Sequence, residues 1–353
     1  MGKFMKIILI IMLIALSQIS YSQWEVCSNG LEGATLDYDV ITSSGDYLYI
    51  GGSKGVFFYS SNNGDSWIER SIPNTAGGIR DILVTENYIF AGLDQKVGGI
   101  YRTSDRGENW EWVVEGLASI EIFSLLEKDG KIYCTSTYGG VHISTDNGDS
   151  WFPSSNGLGS PWSWGLHYDE NYMFVTTTAG LYLSQDSGES WYPRNDGLPT
   201  TDLCVMTICN GDLYFGTLGK GVYFSSNYGI NWSEKNNGLE AMEIWSITNY
   251  DNYVFVGTGK FWYGKASGVQ FTSDRGESWV KASNGLPNSN NVYATILDLV
   301  VKDDYMFASV DNNGIYRVKL SELLLSSISE MDNSFKLINL YPNPTQEIGR
   351  AHV

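Results

Sequence analysis

The chain is poor in positive charge and in histidine. Its 353 residues carry 22 Lys and Arg against 40 Asp and Glu, a formal net charge of −18. Because a surface of that sign repels phosphate backbones, the composition argues against nucleic-acid binding. The three histidines, His142, His167 and His352, are scattered through the sequence and support neither a metal cluster nor a Ser-His-Asp triad. We therefore predict no bound metal and no cofactor.

Long apolar runs and helical periodicity are also missing after the N-terminus. Lys3 and Lys6 precede one apolar stretch, 7–16, and small residues flank a cleavage position after Ser22. This pattern is typical of a secretory signal peptide and is short for a membrane span. We predict a signal peptide over residues 1–22 and no membrane span once it is removed.

Cysteine is scarce, with four residues in the chain. Cys204 and Cys209 lie an odd number of residues apart in one predicted strand, so their side chains would point to opposite faces. Cys27 and Cys134 belong to segments distant in sequence. Two disulfides remain conceivable in an exported protein, but the placement favours buried free thiols.

One motif, Ser/Thr-x-Asp/Asn-x-Gly-x-x-Trp, recurs six times. Its tryptophans are Trp67, Trp110, Trp151, Trp191, Trp232 and Trp279. They follow one another at intervals of 40 to 47 residues, a period typical of solenoids and propellers. Each period contains short runs of aromatic and β-branched residues separated by Gly, Asn and Asp turns, which predicts four antiparallel strands.

The motif has a structural interpretation that needs no ligand. Its Asp or Asn accepts hydrogen bonds from nearby backbone amides in a tight turn, its Gly supplies a positive φ, and its Ser or Thr adds a hydroxyl. Its Trp buries a large ring between neighbouring sheets. We assign this structural role to Asn62, Asp105, Asp146, Asp186, Asn227 and Asp274.

These repeats resemble the Asp-box, or bacterial neuraminidase repeat, of sialidases, xyloglucan-active glycosidases, sortilin-type receptors and photosystem assembly factors. The resemblance runs from Gln23 to about Val318. It implies a β-propeller. Since the repeat is shared by proteins of unrelated activity, it assigns no function.

The number of blades follows from a tryptophan that lacks the motif. Trp24 stands one period before Trp67, and a Gly-Leu pair follows it, as one follows five of the six motif tryptophans. It therefore belongs to a fourth strand, and segments 292–301, 305–309 and 314–317 match the three strands missing before it. We predict an all-β, seven-bladed propeller of four-stranded antiparallel blades over residues 23–318, in which the N-terminal strand completes the last blade. A six-bladed ring would leave one period unplaced.

The C-terminal region shows no blade pattern. Residues 319–336 are expected to form a linker. The string from Tyr341 to Thr345 resembles the opening of the C-terminal sorting domain of the type IX secretion system of Bacteroidetes-type bacteria, so residues 337–346 are expected to begin a truncated sorting domain. Residues 347–353 look like a translated sequencing adapter and are expected to be a non-native tail. We predict a secreted or outer-surface monomer with the type IX machinery as a partner.

Propellers bind ligands at the mouth of the central channel, where the innermost strands begin. Alignment of the blades places seven unlike residues at one innermost position: Asp39, Arg80, Phe123, Trp164, Cys204, Trp245 and Leu297. A purely structural column would tend to repeat, so this variation favours a binding site. The candidate ligand-binding residues are Arg80, Phe123, Trp162, Trp164 and Trp245, because flat aromatic faces beside charges suit a sugar or a peptide. Plugging of the channel by these rings is the structural alternative.

Two catalytic activities would each need a specific set of side chains in the same region. A sialidase site needs three converging arginines, and Arg80 alone lies on an innermost strand, so sialidase activity is not expected. A glycoside hydrolase needs two carboxylates across a cleft, for which Asp39, Asp81 and Asp298 are the candidates. The leading prediction is a non-enzymatic module that binds a polysaccharide or a protein at the channel mouth. The alternatives are a glycoside hydrolase that uses these aspartates and an assembly factor or scaffold.

Overall fold

The computed structural model describes residues 23–31, 38–95, 98–198, 203–260, 265–290 and 292–324. The predicted signal peptide, sorting-domain start and tail, and most of the predicted linker, lie outside these residues. None of the helices in the described part is long and apolar enough to cross a membrane.

The described chain forms seven four-stranded antiparallel sheets, which we call blades 1 to 7, and one two-stranded hairpin. The chain begins with β1 (Glu25–Val26). Blade 1 contains β2 (Tyr38–Ser44), β3 (Tyr47–Gly52), β4 (Phe57–Ser60) and β5 (Ile68–Glu69), with a 3₁₀ turn at Ser53–Gly55. Blade 2 contains β6 (Ile79–Val84), β7 (Ile89–Leu93), β8 (Gly99–Thr103) and β9 (Glu111–Trp112). Blade 3 contains β10 (Ile122–Lys128), β11 (Lys131–Ser136), β12 (Gly140–Ser144) and β13 (Phe152–Pro153).

The later blades repeat this order. Blade 4 contains β14 (Ser163–Tyr168), β15 (Met173–Thr177), β16 (Gly180–Ser184) and β17 (Tyr192–Pro193). Blade 5 contains β18 (Leu203–Cys209), β19 (Asp212–Thr217), β20 (Gly221–Ser225) and β21 (Ser233–Glu234). Blade 6 contains β22 (Ile244–Tyr250), β23 (Tyr253–Thr258), β24 (Val269–Thr272) and β25 (Val280–Lys281). The hairpin of β26 (Asn288–Ser289) and β27 (Val292–Tyr293) leads into blade 7, which contains β28 (Ile296–Lys302), β29 (Tyr305–Val310) and β30 (Gly314–Lys319).

The N-terminal strand closes the ring, as predicted. β1 pairs antiparallel with β30 through Glu25 opposite Arg317 and Val26 opposite Tyr316, so blade 7 has the order β1-β30-β29-β28. The seven-bladed, all-β fold is therefore confirmed. One detail differs from the sequence expectation: Val292 and Tyr293 belong to the β26–β27 hairpin, and the innermost strand of blade 7 starts later, at Ile296.

The hydrophobic core lies between the blades. One cluster, for example, joins Phe90 and Ile100 of blade 2 to Ile132, Cys134 and Trp151 of blade 3. The first strands of neighbouring blades also contact one another around the axis. Each blade is thus stabilised by its two neighbours, as in other repeat architectures.

Seven tryptophans connect the blades in the same way. In each case the indole Nε1 donates a hydrogen bond of 2.7 to 3.2 Å to a backbone carbonyl of the preceding blade. Trp24, Trp67, Trp110, Trp151, Trp191, Trp232 and Trp279 donate to Ala282, Cys27, Arg70, Val113, Ser154, Arg194 and Lys235, respectively. Trp24 therefore does for blade 7 what the motif tryptophans do for blades 1 to 6.

The repeated motif has the predicted turn geometry. In blade 3 the Gly148 amide donates to Ser144 Oγ at 2.8 Å, and the Ser150 amide donates to Asp146 Oδ1 at 3.0 Å. Gly148 has a φ of 88°. The corresponding bonds recur in the other five copies.

Two further expectations concern the cysteines and the C-terminal end. Cys27, Cys134 and Cys209 are buried free thiols, as predicted; the side chain of Cys204 lies outside the described part. Residues 320–324, assigned to a linker from sequence, are helical. Leu320 and Leu323 are buried in the cluster between blades 6 and 7, so the chain stays packed on the last blade beyond β30.

Candidate functional site

A β-bulge occurs near the start of every innermost strand. The register shifts between Tyr38 and Val40 in blade 1, and at the equivalent position in the other six blades. The extra residues are Asp39, Arg80, Phe123, Trp164 with Gly165, Cys204, Trp245 and Leu297. The column of unlike residues found by alignment is therefore a ring of bulges, and bulges re-aim side chains without disrupting the rest of a strand.

The bulges surround a cavity of about 680 Å³ on the axis of the ring. We call the face where the innermost strands begin the mouth face, which also carries the loops between the second and third strands of each blade. An upper ring of bulge residues lines the cavity: Asp39, Arg80, Phe123, Trp164, Trp245 and Leu297. A lower ring, one residue further along each strand, contains Val40, Asp81, Ser124, Val205, Ser246 and Asp298. The volume is in the range of small-ligand pockets.

Arg80 is held between two carboxylates at the rim. Its Nε and Nη2 contact Asp94 Oδ2 at 2.7 and 2.6 Å, and its Nη1 lies 3.2 Å from Asp39 Oδ2. Asp94 also accepts a 2.8 Å hydrogen bond from the Gly78 amide, which fixes its position. Because the Arg80 side chain remains 39% exposed, the guanidinium is oriented by its partners and still accessible.

Aromatic residues occupy the mouth on blades 3, 4 and 6. The rings of Phe123 and Trp164 meet edge to face, with centroids 4.7 Å apart. Trp245 lines the same cavity on blade 6. A side chain on Gly259 would place its Cβ 2.3 Å from the Trp245 indole, so this glycine makes room for the ring.

Trp162 lies outside the cavity, on the mouth face. It packs edge to face against Tyr138 with a centroid distance of 4.9 Å, and the two residues are 37% and 63% exposed. Tyr138 follows the second strand of blade 3, at a position with a φ of 64°. Sequence alignment did not indicate Tyr138, because it lies in a loop between two strands and outside the aligned innermost column.

The lower ring contains two carboxylates that connect blades. Asp81 Oδ2 of blade 2 accepts hydrogen bonds from the Leu125 amide at 2.7 Å and from Ser124 Oγ at 3.1 Å in blade 3. Asp298 Oδ2 of blade 7 accepts one from the Ile41 amide of blade 1 at 2.9 Å. Their Oδ1 atoms accept the amides of Ile82 and Leu299 in their own strands. Both side chains thus hold bulges of adjacent blades in register.

Burial changes the protonation of groups in the cavity. Loss of solvent raises the pKa of Asp81 to about 6 and that of Asp298 to about 7, and the charge of Asp81 adds to the effect on Asp298. Burial lowers the pKa of His167, which also lines the cavity, to about 4. The sequence indicates His167 only as one of three scattered histidines, and its contact with the cavity follows from the ring geometry.

The three aspartates proposed for a glycoside hydrolase all line the cavity. Asp39 pairs with Arg80, whereas Asp81 and Asp298 accept backbone amides, which gives each a structural partner. Elsewhere, Arg102 and Arg317 tie blade 2 to blade 3 and blade 7 to blade 1 through Asp149 and Asp65. Within the described residues, no group of three His, Cys, Asp or Glu side chains could hold a metal ion.

Solved structures with similar folds include proteins of different kinds. A structure of YCF48 bound to a D1 peptide aligns with a TM-score of 0.63 at 14% identity, covering 85% of this chain and 98% of that chain. The extracellular domain of a one component system from B. thetaiotaomicron gives 0.66 at 13% identity, covering 84% and 40%. The GH74 xyloglucanase of Xanthomonas campestris gives 0.64 at 14% identity, covering 85% and 54%. At these identities the likeness shows the fold alone, and the chain spans about half or less of the last two proteins.

Sequence comparison is more specific. Among curated proteins none matches significantly. A family model described as photosynthesis system II assembly factor YCF48 matches residues 20–315, which span nearly the whole propeller. The chain therefore belongs to the photosynthesis system II assembly factor YCF48 family.

Proposed function

We propose that the protein is a non-enzymatic binding module that captures a segment of a partner protein at the mouth of the channel, in an assembly or scaffolding role. The observation that carries this proposal is the ring of unlike bulge residues around the cavity. Arg80 offers an oriented cation on blade 2, and Phe123 and Trp164 offer aromatic faces on the next two blades. Such a combination suits an extended peptide, whose carboxylates and apolar side chains need separate contacts.

Family membership supports the same proposal, as does the solved YCF48 with a bound peptide. Two of the three aspartates suggested for catalysis hold bulges in register, which favours binding over hydrolysis. The glycoside hydrolase alternative remains a prediction that release of reducing sugar from polysaccharides would test.

A random library of short peptides, presented to the immobilised protein, tests the proposal. We expect wild-type protein to retain a peptide pool, and the double variant Trp164→Ala, Trp245→Ala to retain at least about tenfold less, since aromatic anchors dominate such contacts. Phe152→Ala is the matched control, because this aromatic residue is 57% exposed on the outermost strand β13, directly after the motif turn on the face opposite the mouth. Retention that is unchanged in the double variant would remove these residues from the site.

A polysaccharide is the second candidate ligand, and the exposed pair of Tyr138 and Trp162 favours it, since exposed rings stack on sugar faces. A glycan array probed with the same wild-type protein decides between the two ligands. Glycan binding without peptide retention would replace the partner-protein proposal with the polysaccharide one.

We further propose that the protein acts outside the cytoplasm, as a secreted or outer-surface protein. This proposal is supported by the signal-like segment 1–22 and by the Tyr341–Thr345 string, both taken from the sequence alone. Cell fractionation tests it, and recovery of the full-length, unprocessed chain in the cytoplasmic fraction would contradict it.

A further inference from the structure

The lower ring of the channel carries two carboxyl groups with which no cation in the described structure pairs. Asp81 and Asp298 both line the cavity, and within the described residues they accept hydrogen bonds from neutral donors: four backbone amides and the Ser124 hydroxyl. No described Lys, Arg or His forms an ion pair with either carboxylate. The two carboxylates repel each other, since ionised Asp81 disfavours ionisation of Asp298.

The charged groups near the ring do not change this balance. Arg80 is the one cationic residue among those that line the cavity, and it already pairs with Asp39 and Asp94 at the rim. His167 is neutral at physiological pH because burial lowers its pKa to about 4. The cavity therefore presents an excess of carboxylate to anything that enters it.

Two side chains of the lower ring, Asp298 and Ser246, could also form further hydrogen bonds. Each Asp298 oxygen accepts one described hydrogen bond, although a carboxylate oxygen can accept two. The Ser246 side chain lines the cavity and is 1% exposed, and its Oγ has no hydrogen-bond partner among the described residues. A buried hydroxyl without a partner costs free energy that a ligand atom could recover.

The route from the mouth to this ring passes aromatic side chains. Phe123, Trp164 and Trp245 belong to the ring of bulges immediately above the carboxylates. Aromatic faces attract cations and tolerate the aliphatic stem of a long side chain. An entrance of this kind above an acidic floor selects a long side chain with a positive end.

We propose that the channel receives a basic side chain of the captured partner segment, arginine or lysine, whose charged end lies between Asp81 and Asp298 with Ser246 as a further hydrogen-bond acceptor. This inference rests on the proposed function and adds the chemistry of the residue that is recognised. The bound cation would supply the counter-charge that the cavity lacks.

Two peptide libraries that differ in the charge of one side chain test the inference. Both are random acetylated peptides, and the central position is fixed as arginine in one and as uncharged, nearly isosteric citrulline in the other. We expect wild-type protein to retain the arginine library at least about tenfold more than the citrulline library, and Asp298→Asn to reduce this ratio to below about threefold. Asp46→Asn, which removes the same charge from an exposed turn on the opposite face, should leave the ratio unchanged.

Equal retention of the two libraries by wild-type protein, or an undiminished ratio in Asp298→Asn, overturns the inference. If Asp298→Asn does not fold, Asp81→Asn decides by the same comparison. Equal retention that still depends on Trp164 and Trp245 would leave the proposed function standing and remove only the basic side chain. Absence of any retention would remove both.

Discussion

Asp298 illustrates how much of the structure depends on single residues that contact two blades. Its two oxygens accept amides from Ile41 of blade 1 and from Leu299 of its own strand. The first partner is 257 residues away, so sequence reasoning could identify the aspartate as facing the channel but not as a connection between blades. The same limit applied to Asp81 and Leu125. Alignment found the column of unlike residues because it repeats locally, whereas the hydrogen bonds arise only once the ring closes.

The protonation of Asp298 leads to a prediction about stability. Since burial raises its pKa to about 7, the folded protein keeps a proton that the unfolded chain releases near pH 4. Its contribution to the free energy of unfolding is therefore complete below about pH 4 and falls as the pH rises towards about 7. Asp298→Asn loses one acceptor and should be destabilised by about 1–3 kcal/mol at about pH 4. That cost should shrink or change sign at about pH 8, because only the wild type loses stability across the interval.

Chemical unfolding of variant and wild type at both pH values measures this difference. The comparison with wild type is needed because other buried groups also make stability depend on pH. Asp81 lowers stability as the pH rises, as Asp298 does, whereas His167, whose pKa is lowered to about 4, has the opposite effect. Asp46→Asn, on an exposed turn, serves as the control. A cost for Asp298→Asn that is the same at both pH values would show that this carboxyl is ionised normally in the fold.

Among the elements, the short strand β1 has the largest structural consequence. It supplies the fourth strand of blade 7 and places Trp24 against Ala282 of blade 6. Sequence alone predicted this closure, because Trp24 and its Gly-Leu pair repeat the local pattern of the other blades. The β26–β27 hairpin and the helical residues 320–324 lie outside the repeat, so no second copy in the sequence indicated them.

The junction at Gly285 tests the closure. Gly285 has a φ of 93°, and a Cβ there would lie 2.6 Å from the Trp24 carbonyl oxygen. Gly285→Ala should therefore destabilise the protein by about 2 kcal/mol more than Gly130→Ala, by forcing β1 away from blade 6. Gly130 also has a positive φ, of 73°, but nothing within 4 Å of an added Cβ, so the control isolates the contact from the backbone strain. Equal losses in denaturant unfolding would indicate that β1 does not close the ring tightly.

At the scale of the whole molecule, repetition and variation are divided between regions. The seven tryptophans and the six turns repeat almost unchanged and hold the blades together. The residues that differ from blade to blade gather at the mouth face, where Arg80 and the aromatic residues line one cavity. The fold could be predicted from the repeats. The ligand could not, because unlike residues in an aligned column show that a site is present without fixing how their side chains pair.

Hydrogen–deuterium exchange of the protein with its retained peptide pool tests the central claim, that the mouth of the channel is the binding site. We expect slower exchange at the amides of residues 78–82, 121–125, 160–166 and 243–247, where the bulges and their flanking loops lie. The motif turns on the opposite face, such as 146–150, should exchange as they do without peptide. Protection confined to those turns or to the outermost strands, with none at the innermost strands, would contradict the account.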